Sequence, residues 1–166
     1  MTDTAHQPSG HPSVASGRIG VLLINLGTPD APTPSAVRRY LREFLSDRRI
    51  IETHPAIWQP ILNFFILPFR PRKTAKAYQL VWRDDADGSP LRHFTRTQTE
   101  ALGRLIGQRR GDVIVDWAMR YGTPSVADRL KVLRDQGCDR ILALALYPQY
   151  SGTTTASAYD AVFSAL

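Results

Sequence analysis

Three short stretches bring together side chains able to do chemistry. They are Asn25-Leu26-Gly27-Thr28-Pro29, Met119-Arg120-Tyr121-Gly122 and Tyr147-Pro148-Gln149-Tyr150-Ser151. Each is polar or aromatic, and each follows directly on an apolar run. Arg120 makes the strongest demand, because a guanidinium at the end of a buried strand is costly unless it is paired. A salt bridge within the protein would meet that demand. So would an anionic ligand such as a carboxylate, gripped in bidentate fashion. Other chemistries find no support. No GxxxxGK[ST] motif occurs and no GxGxxG follows the first apolar run, so a phosphate cradle has no basis. His6, His11, His54 and His93 share no metal-ligand spacing, and no nucleophile, histidine and acid set is evident.

The elements that must carry these stretches can be read from hydrophobic pattern. RIGVLLINLG is a continuous apolar run closed by Gly27 and Pro29, the signature of a strand buried on both faces. Val37, Tyr40, Leu41, Phe44 and Leu45 form a helical stripe, with Ser35 as the expected N-cap. The segment HPAIWQPILNFFILPF, residues 54–69, is apolar but broken by Pro55, Pro60 and Pro68, so short helical turns and extended pieces are expected. A basic helix then runs from Pro71 to about Trp82, followed by the loop RDDADGSP. A helix from about Phe94 to Arg109 should turn Leu102, Leu105 and Ile106 inward. VIVDWAM, from Val113, is the second strand. Thr123 is expected to cap, and Pro124 to open, a helix with Val126, Leu130 and Leu133 inside and Gly137 at its end. Arg140 to Tyr147 is the third strand, and SGTTTAS leads into a last helix. Strands alternating with helices predict an α/β domain with a parallel sheet, helices on both faces and right-handed crossovers. In such sheets ligands bind beyond the carboxyl ends of the strands, where all three polar stretches fall.

Composition narrows the classes. Of 166 residues 43% are apolar and 22% charged, an ordinary globular balance, and the net charge is +6. Arg70, Arg72, Lys73, Lys76 and Arg83 make a basic run, but no zinc-finger, RNP or basic-heptad pattern accompanies it, so nucleic acid is not expected as a partner. Cys138 is the single cysteine, which excludes an internal disulfide and suits a reducing compartment. Residues 1–17 are polar and read as a disordered tail rather than a leader. No apolar run reaches the roughly 18 to 20 residues that span a bilayer. A cytoplasmic location is expected.

LLINLGTP, FRPRKTAKAY, the Gly88-Ser89-Pro90 loop, MRYGTPS and LYPQYSGTTTAS, in that order, resemble the ferrochelatase family. The resemblance covers residues 18–166 and implies a Rossmann-like, chelatase-like domain, the first of two in the full-length enzyme, with a porphyrin cleft between them. It implies insertion of ferrous iron into protoporphyrin IX as the last step of haem formation. Porphyrin and ferrous iron are then the substrates, no further cofactor is required, and an iron–sulphur cluster is left open. Residues 50–93 become an insertion whose apolar part, 54–69, resembles a cleft lip that touches the inner face of the membrane peripherally. Arg70 matches an arginine near a porphyrin propionate, and Tyr78 and Ser89 match polar groups on that side. Leu26 falls close to the macrocycle face; Met119, Arg120 and Tyr121 lie deep in the pocket, and Tyr147 and Ser151 on the third-strand turn. The family's catalytic histidine and glutamate belong to the second domain, so both are expected beyond Leu166; neither His54 nor His93 lies in a matching motif. Leucine at position 26 points to protoporphyrin, since coproporphyrin-using members commonly carry tyrosine there. A coproporphyrin-type enzyme and a non-catalytic porphyrin- or haem-binding module are the alternatives.

Overall fold

A computed structural model describes residues 17–83, 85 and 87–166. The expected tail, apart from Gly17, lies outside the described residues, as do Asp84 and Ala86 of the expected loop. Strand β1 (Arg18–Gly27) lies at the centre of a three-stranded sheet, flanked by β2 (Val113–Tyr121) and β3 (Cys138–Ala145), all parallel. Its central position explains its unbroken apolar run: Leu22 and Ile24 face one layer, Val21 and Leu23 the other, and all four are buried.

Helix α4 (Pro90–Gly107) covers one face of β1 and β2. The Asn25 amide donates to Thr95 Oγ1 at 3.0 Å, and Gly103 lies over Val115. Helices α5 (Val126–Asp135) and α6 (Ser157–Ala165) cover the other face. There Val126, Leu130, Leu133, Ala158 and Val162 close on Leu22, Ile24 and Ala118. Helix α1 (Pro34–Ser46), α2 (Pro55–Ile61), a π-helical turn (Leu62–Ile66) and α3 (Arg70–Val81) form a second cluster at the carboxyl end of the sheet. Val37, Tyr40, Leu41, Leu45, Leu62, Leu67 and Ala75 close there on Tyr121.

Several expectations are corrected. Helix α1 begins earlier than Ser35: Thr33 is the N-cap and Pro34 the first helical residue, because the fixed φ of proline suits that position. Ser125, not Thr123, caps α5. The Thr123 hydroxyl is bound to Asp30 at 2.7 Å, and the Pro124 carbonyl accepts from the Met119 N–H at 2.8 Å. Strand β3 starts two residues early, at Cys138, and ends at Ala145, so Tyr147 lies past its end. Helix α4 extends back to Pro90, and Thr95 and Thr99, not Leu105, are its buried residues; Leu105 is 62% exposed. The two threonine hydroxyls donate to the carbonyls of Leu91 and Thr95 at 2.7 Å, which lets them be buried without an orphaned donor. Residues 55–66 are helical throughout rather than in extended pieces. His54 Nδ1 caps α2, and Pro55 occupies its first turn, where a missing N–H costs nothing.

Candidate functional site

The turn after β1, the end of β2 and the segment leading into α6 meet at the carboxyl edge of the sheet. Register places Asn25 beside Met119 and Gly27 beside Tyr121. Gly27 has φ +109°, and a Cβ there would lie 1.9 Å from the Tyr121 carbonyl oxygen, so only glycine lets the two strand ends approach. Gly122 follows with φ +84° and turns the chain away after Tyr121.

At this edge the demand of Arg120 is met from within the protein. Its Nη2 donates to Asp47 Oδ2 at 2.7 Å, and its Nε donates to the carbonyl and the hydroxyl of Ser157, both at 2.8 Å. The same Asp47 oxygen accepts from the Tyr121 hydroxyl at 2.7 Å and from Ser157 Oγ at 2.5 Å. Asp47 Oδ1 accepts from the Arg49 N–H at 2.7 Å. The side chains of Asp47 and Arg120 are 9% and 18% exposed, and the guanidinium lies 4.4 Å from the centre of the Tyr121 ring. Burial pushes the Asp47 carboxyl up. The hydrogen bonds from Ser157, Tyr121 and Arg49 and the Arg120 charge outweigh that and hold it below the ordinary carboxylate range. Burial raises the Tyr121 hydroxyl, and the adjacent Asp47 carboxylate raises it further, so this phenol stays protonated.

The other expected residues are distributed unevenly. Leu26 is half-buried against the second core cluster, and Tyr78 lies in the same cluster with its ring edge-on to Trp82, centroids 6.2 Å apart. Met119 is fully buried. Arg70 opens α3, exposed and with no ion pair among the described residues. Ser89 is buried just before α4, in a loop where Gly88 (φ +64°) packs under the Trp82 ring. The Tyr147 hydroxyl is buried without a hydrogen-bond partner among the described residues; burial raises its pKa and the Arg120 charge opposes this. Ser151 is turned to its own loop, bonded to Thr154 Oγ1 at 2.6 Å, and it is Ser157 that reaches Arg120.

Asp47 and Ser157 were not among the residues singled out from the sequence. A local signal for Asp47 exists: an acid at the C-cap of α1 opposes the helix dipole, so a compensating partner elsewhere is to be looked for.

Asp85, Asp87 and His93 bring ligand-type atoms within 4.8 Å of one another. Their charge is already answered by protein cations. Arg96 donates twice to Asp87, at 2.7 and 2.8 Å, and Arg83 donates to Asp85 at 2.5 Å. The Arg96 bonds, with the His93 ring 2.9 Å from Asp87 Oδ2, outweigh burial and hold the Asp87 carboxyl down to about 2, and the cluster ties the loop to α4.

Residues 54–69 divide by face. Leu62 and Leu67 are buried and the Trp58 indole donates to the Leu45 carbonyl at 2.7 Å, whereas Phe64, Phe65 and Phe69 are 73%, 69% and 72% exposed. The basic side chains of Arg70, Arg72, Lys73 and Lys76 follow, also exposed. Among the described residues no helix is long and apolar enough to cross a membrane.

A parallel α/β layer with polar turns gathered at the carboxyl edge of its strands defines the open-sheet class, in which that edge is where ligands bind. Residues 18–166 match the family model described as ferrochelatase. The chain is 51% identical over 164 residues to a ferrochelatase of Rhizobium leguminosarum bv. trifolii, an alignment that covers 99% of this chain and 47% of that protein. It is 52% identical over 156 residues to the ferrochelatase of Rhizobium meliloti, covering 94% and 46%. It is 53% identical over 159 residues to that of a Chelativorans species, covering 96% and 45%. The chain belongs to the ferrochelatase family, and it spans about half the length of these curated relatives.

Proposed function

We infer that this chain forms one wall of a porphyrin cleft in an enzyme that inserts ferrous iron into protoporphyrin IX. The observation that carries the reading is the family match over residues 18–166, within which all three strand-end turns converge on one sheet edge. In the reaction two pyrrole N–H bonds break, iron–nitrogen bonds form, and two protons leave to a base. A shaped cleft can bend the macrocycle so that a nitrogen lone pair meets the ion, at the expense of binding energy. Leu26, Met119, Arg120, Tyr121, Tyr147 and Ser151 are assigned to the pocket, and Arg70, Tyr78 and Ser89 to the propionate side. Arg70 is the exposed cation suited to a carboxylate, while Arg120 is largely committed to Asp47. The base is assigned to a histidine, with a glutamate, outside this chain. Leu26 favours protoporphyrin over coproporphyrin.

The test is to read the gene past the codon for Leu166 and assay the resulting protein for anaerobic iron insertion, beside the 166-residue chain alone. Insertion by the longer protein and none by the short chain is expected. Insertion by the short chain would overturn the placement of the base. Tight porphyrin binding by the longer protein without insertion would favour a binding module.

The exposed phenylalanines and the cations after them support a peripheral contact with an anionic bilayer surface, at the inner face of the membrane. Phe64→Ser with Phe65→Ser is expected to lower binding to vesicles containing anionic lipid by about 10-fold or more. Because both rings are exposed, the melting temperature should be unchanged. Equal vesicle binding by the double variant would remove the lip from the contact.

A further inference from the structure

The geometry points to Asp47 and Ser157 as positioning residues that clamp one edge of the Arg120 guanidinium and the Tyr121 hydroxyl, leaving the other edge of Arg120 to act on what occupies the crevice. This rests on the porphyrin reading above.

Asp47 lies between α1 and α2, Arg120 and Tyr121 end β2, and Ser157 opens α6, so three separate parts of the chain converge on one carboxylate oxygen. A lone structural ion pair would need only the Asp47–Arg120 contact. Here Oδ2 accepts three donors, and Ser157 supplies two further acceptors to Arg120 Nε. The guanidinium plane is thereby fixed by bonds from two elements and by its contact with the Tyr121 ring. Nε and Nη2 are occupied, whereas Nη1 has no hydrogen-bond partner among the described residues. A fork held on one side and open on the other can present donors in a single orientation, with little side-chain entropy left to lose when the ligand arrives. The Tyr121 hydroxyl is held in the same way, its proton directed at Asp47. Tyr147, whose hydroxyl is buried without a hydrogen-bond partner among the described residues, lies close enough to Arg120 for the guanidinium charge to act on it.

The experiment uses the longer protein. Asp47→Asn keeps the shape and one acceptor while removing the charge, and Ser157→Ala removes the hydroxyl but keeps the backbone acceptor. Each is expected to lower kcat for iron insertion by about 10- to 100-fold, the cost of a misplaced catalytic group. KM for porphyrin should stay within about twofold and the folded state should persist. In an Arg120→Lys background, which already lacks the planar fork, Asp47→Asn should cost little more, a non-additivity that loss of stability alone would not produce. Should Asp47→Asn not fold, Ser157→Ala decides by the same criteria. Unchanged kcat in the folded variants, or costs that add fully to Arg120→Lys, would overturn the positioning role and leave the porphyrin reading intact. A wild-type protein that inserts no iron would overturn both.

Discussion

Replacing Gly27 with alanine is expected to cost about 4 kcal/mol or more, placing it among the exceptional single substitutions. Two penalties combine. The backbone at this position has φ +109°, which L side chains rarely adopt, and the added methyl would lie 1.9 Å from the Tyr121 carbonyl oxygen. A flexible side chain could yield; a backbone carbonyl at the end of a paired strand cannot move without opening the β1–β2 ladder. For a chain of this length the loss corresponds to a fall in Tm of roughly 8 to 16 °C, and Tyr121 and the residues bound to it should shift with the strand end. Gly107→Ala is the control. It ends α4, has no heavy atom within 4 Å of a built Cβ, and should be neutral or stabilising by up to about 1 kcal/mol. Melting both variants beside the wild type checks the argument; a Gly27→Ala protein as stable as the control would show that the strand ends can part freely.

Arg120→Ala carries the second large effect. Asp47 would keep its bonds from Tyr121, Ser157 and Arg49 but lose its only cationic hydrogen-bond donor among the described residues. Breaking such a pair typically costs about 3 to 5 kcal/mol, because the remaining charge stays buried. Since the Asp47 carboxyl is held below its ordinary range, its contribution to stability is present above the unfolded value near 4. It is lost as pH falls through the lower, folded value. The stability gap between wild type and Arg120→Ala should therefore be widest near pH 7 and narrow in acid, as pH falls from the unfolded value near 4 through the lower folded value at which Asp47 takes up a proton. Chemical denaturation at both pH values measures it. A gap equal at neutral and acid pH would mean that the Asp47 charge is not what Arg120 answers.

Among the alternatives open for Arg120, a salt bridge within the protein is realised, and it does not exclude a ligand on the remaining edge. A cation at the end of an apolar strand announces that it needs a partner, but it does not say from which part of the chain that partner comes. Asp47 is 73 residues away and Ser157 is 37 away. Ser157 closes the SGTTTAS stretch and Asp47 follows the end of α1, but no local pattern names either as the partner of Arg120, and only the convergence of α1, β2 and α6 makes them neighbours. Ser151, which the same reasoning favoured, is bound within its own loop to Thr154.

The pattern of the sequence by itself determined much of the framework. The central place of β1 follows from an apolar run too continuous for a one-sided strand, and the inner face of α5 from Val126, Leu130 and Leu133 at helical spacing. These are local signals, because side-chain period and burial are set within a few residues. The tertiary structure decided which hydroxyls cap helices and which are taken by distant partners, as Thr123 is by Asp30. It buried Thr95 and Thr99 in place of Leu105, because their bonds to the preceding turn let polar side chains enter a packed interface. It also divided the aromatics of residues 54–69 between a packed face and an exposed one, through what α1 and α3 could cover. Packing and long-range hydrogen bonding compare residues far apart in the chain, and no local pattern carries that comparison.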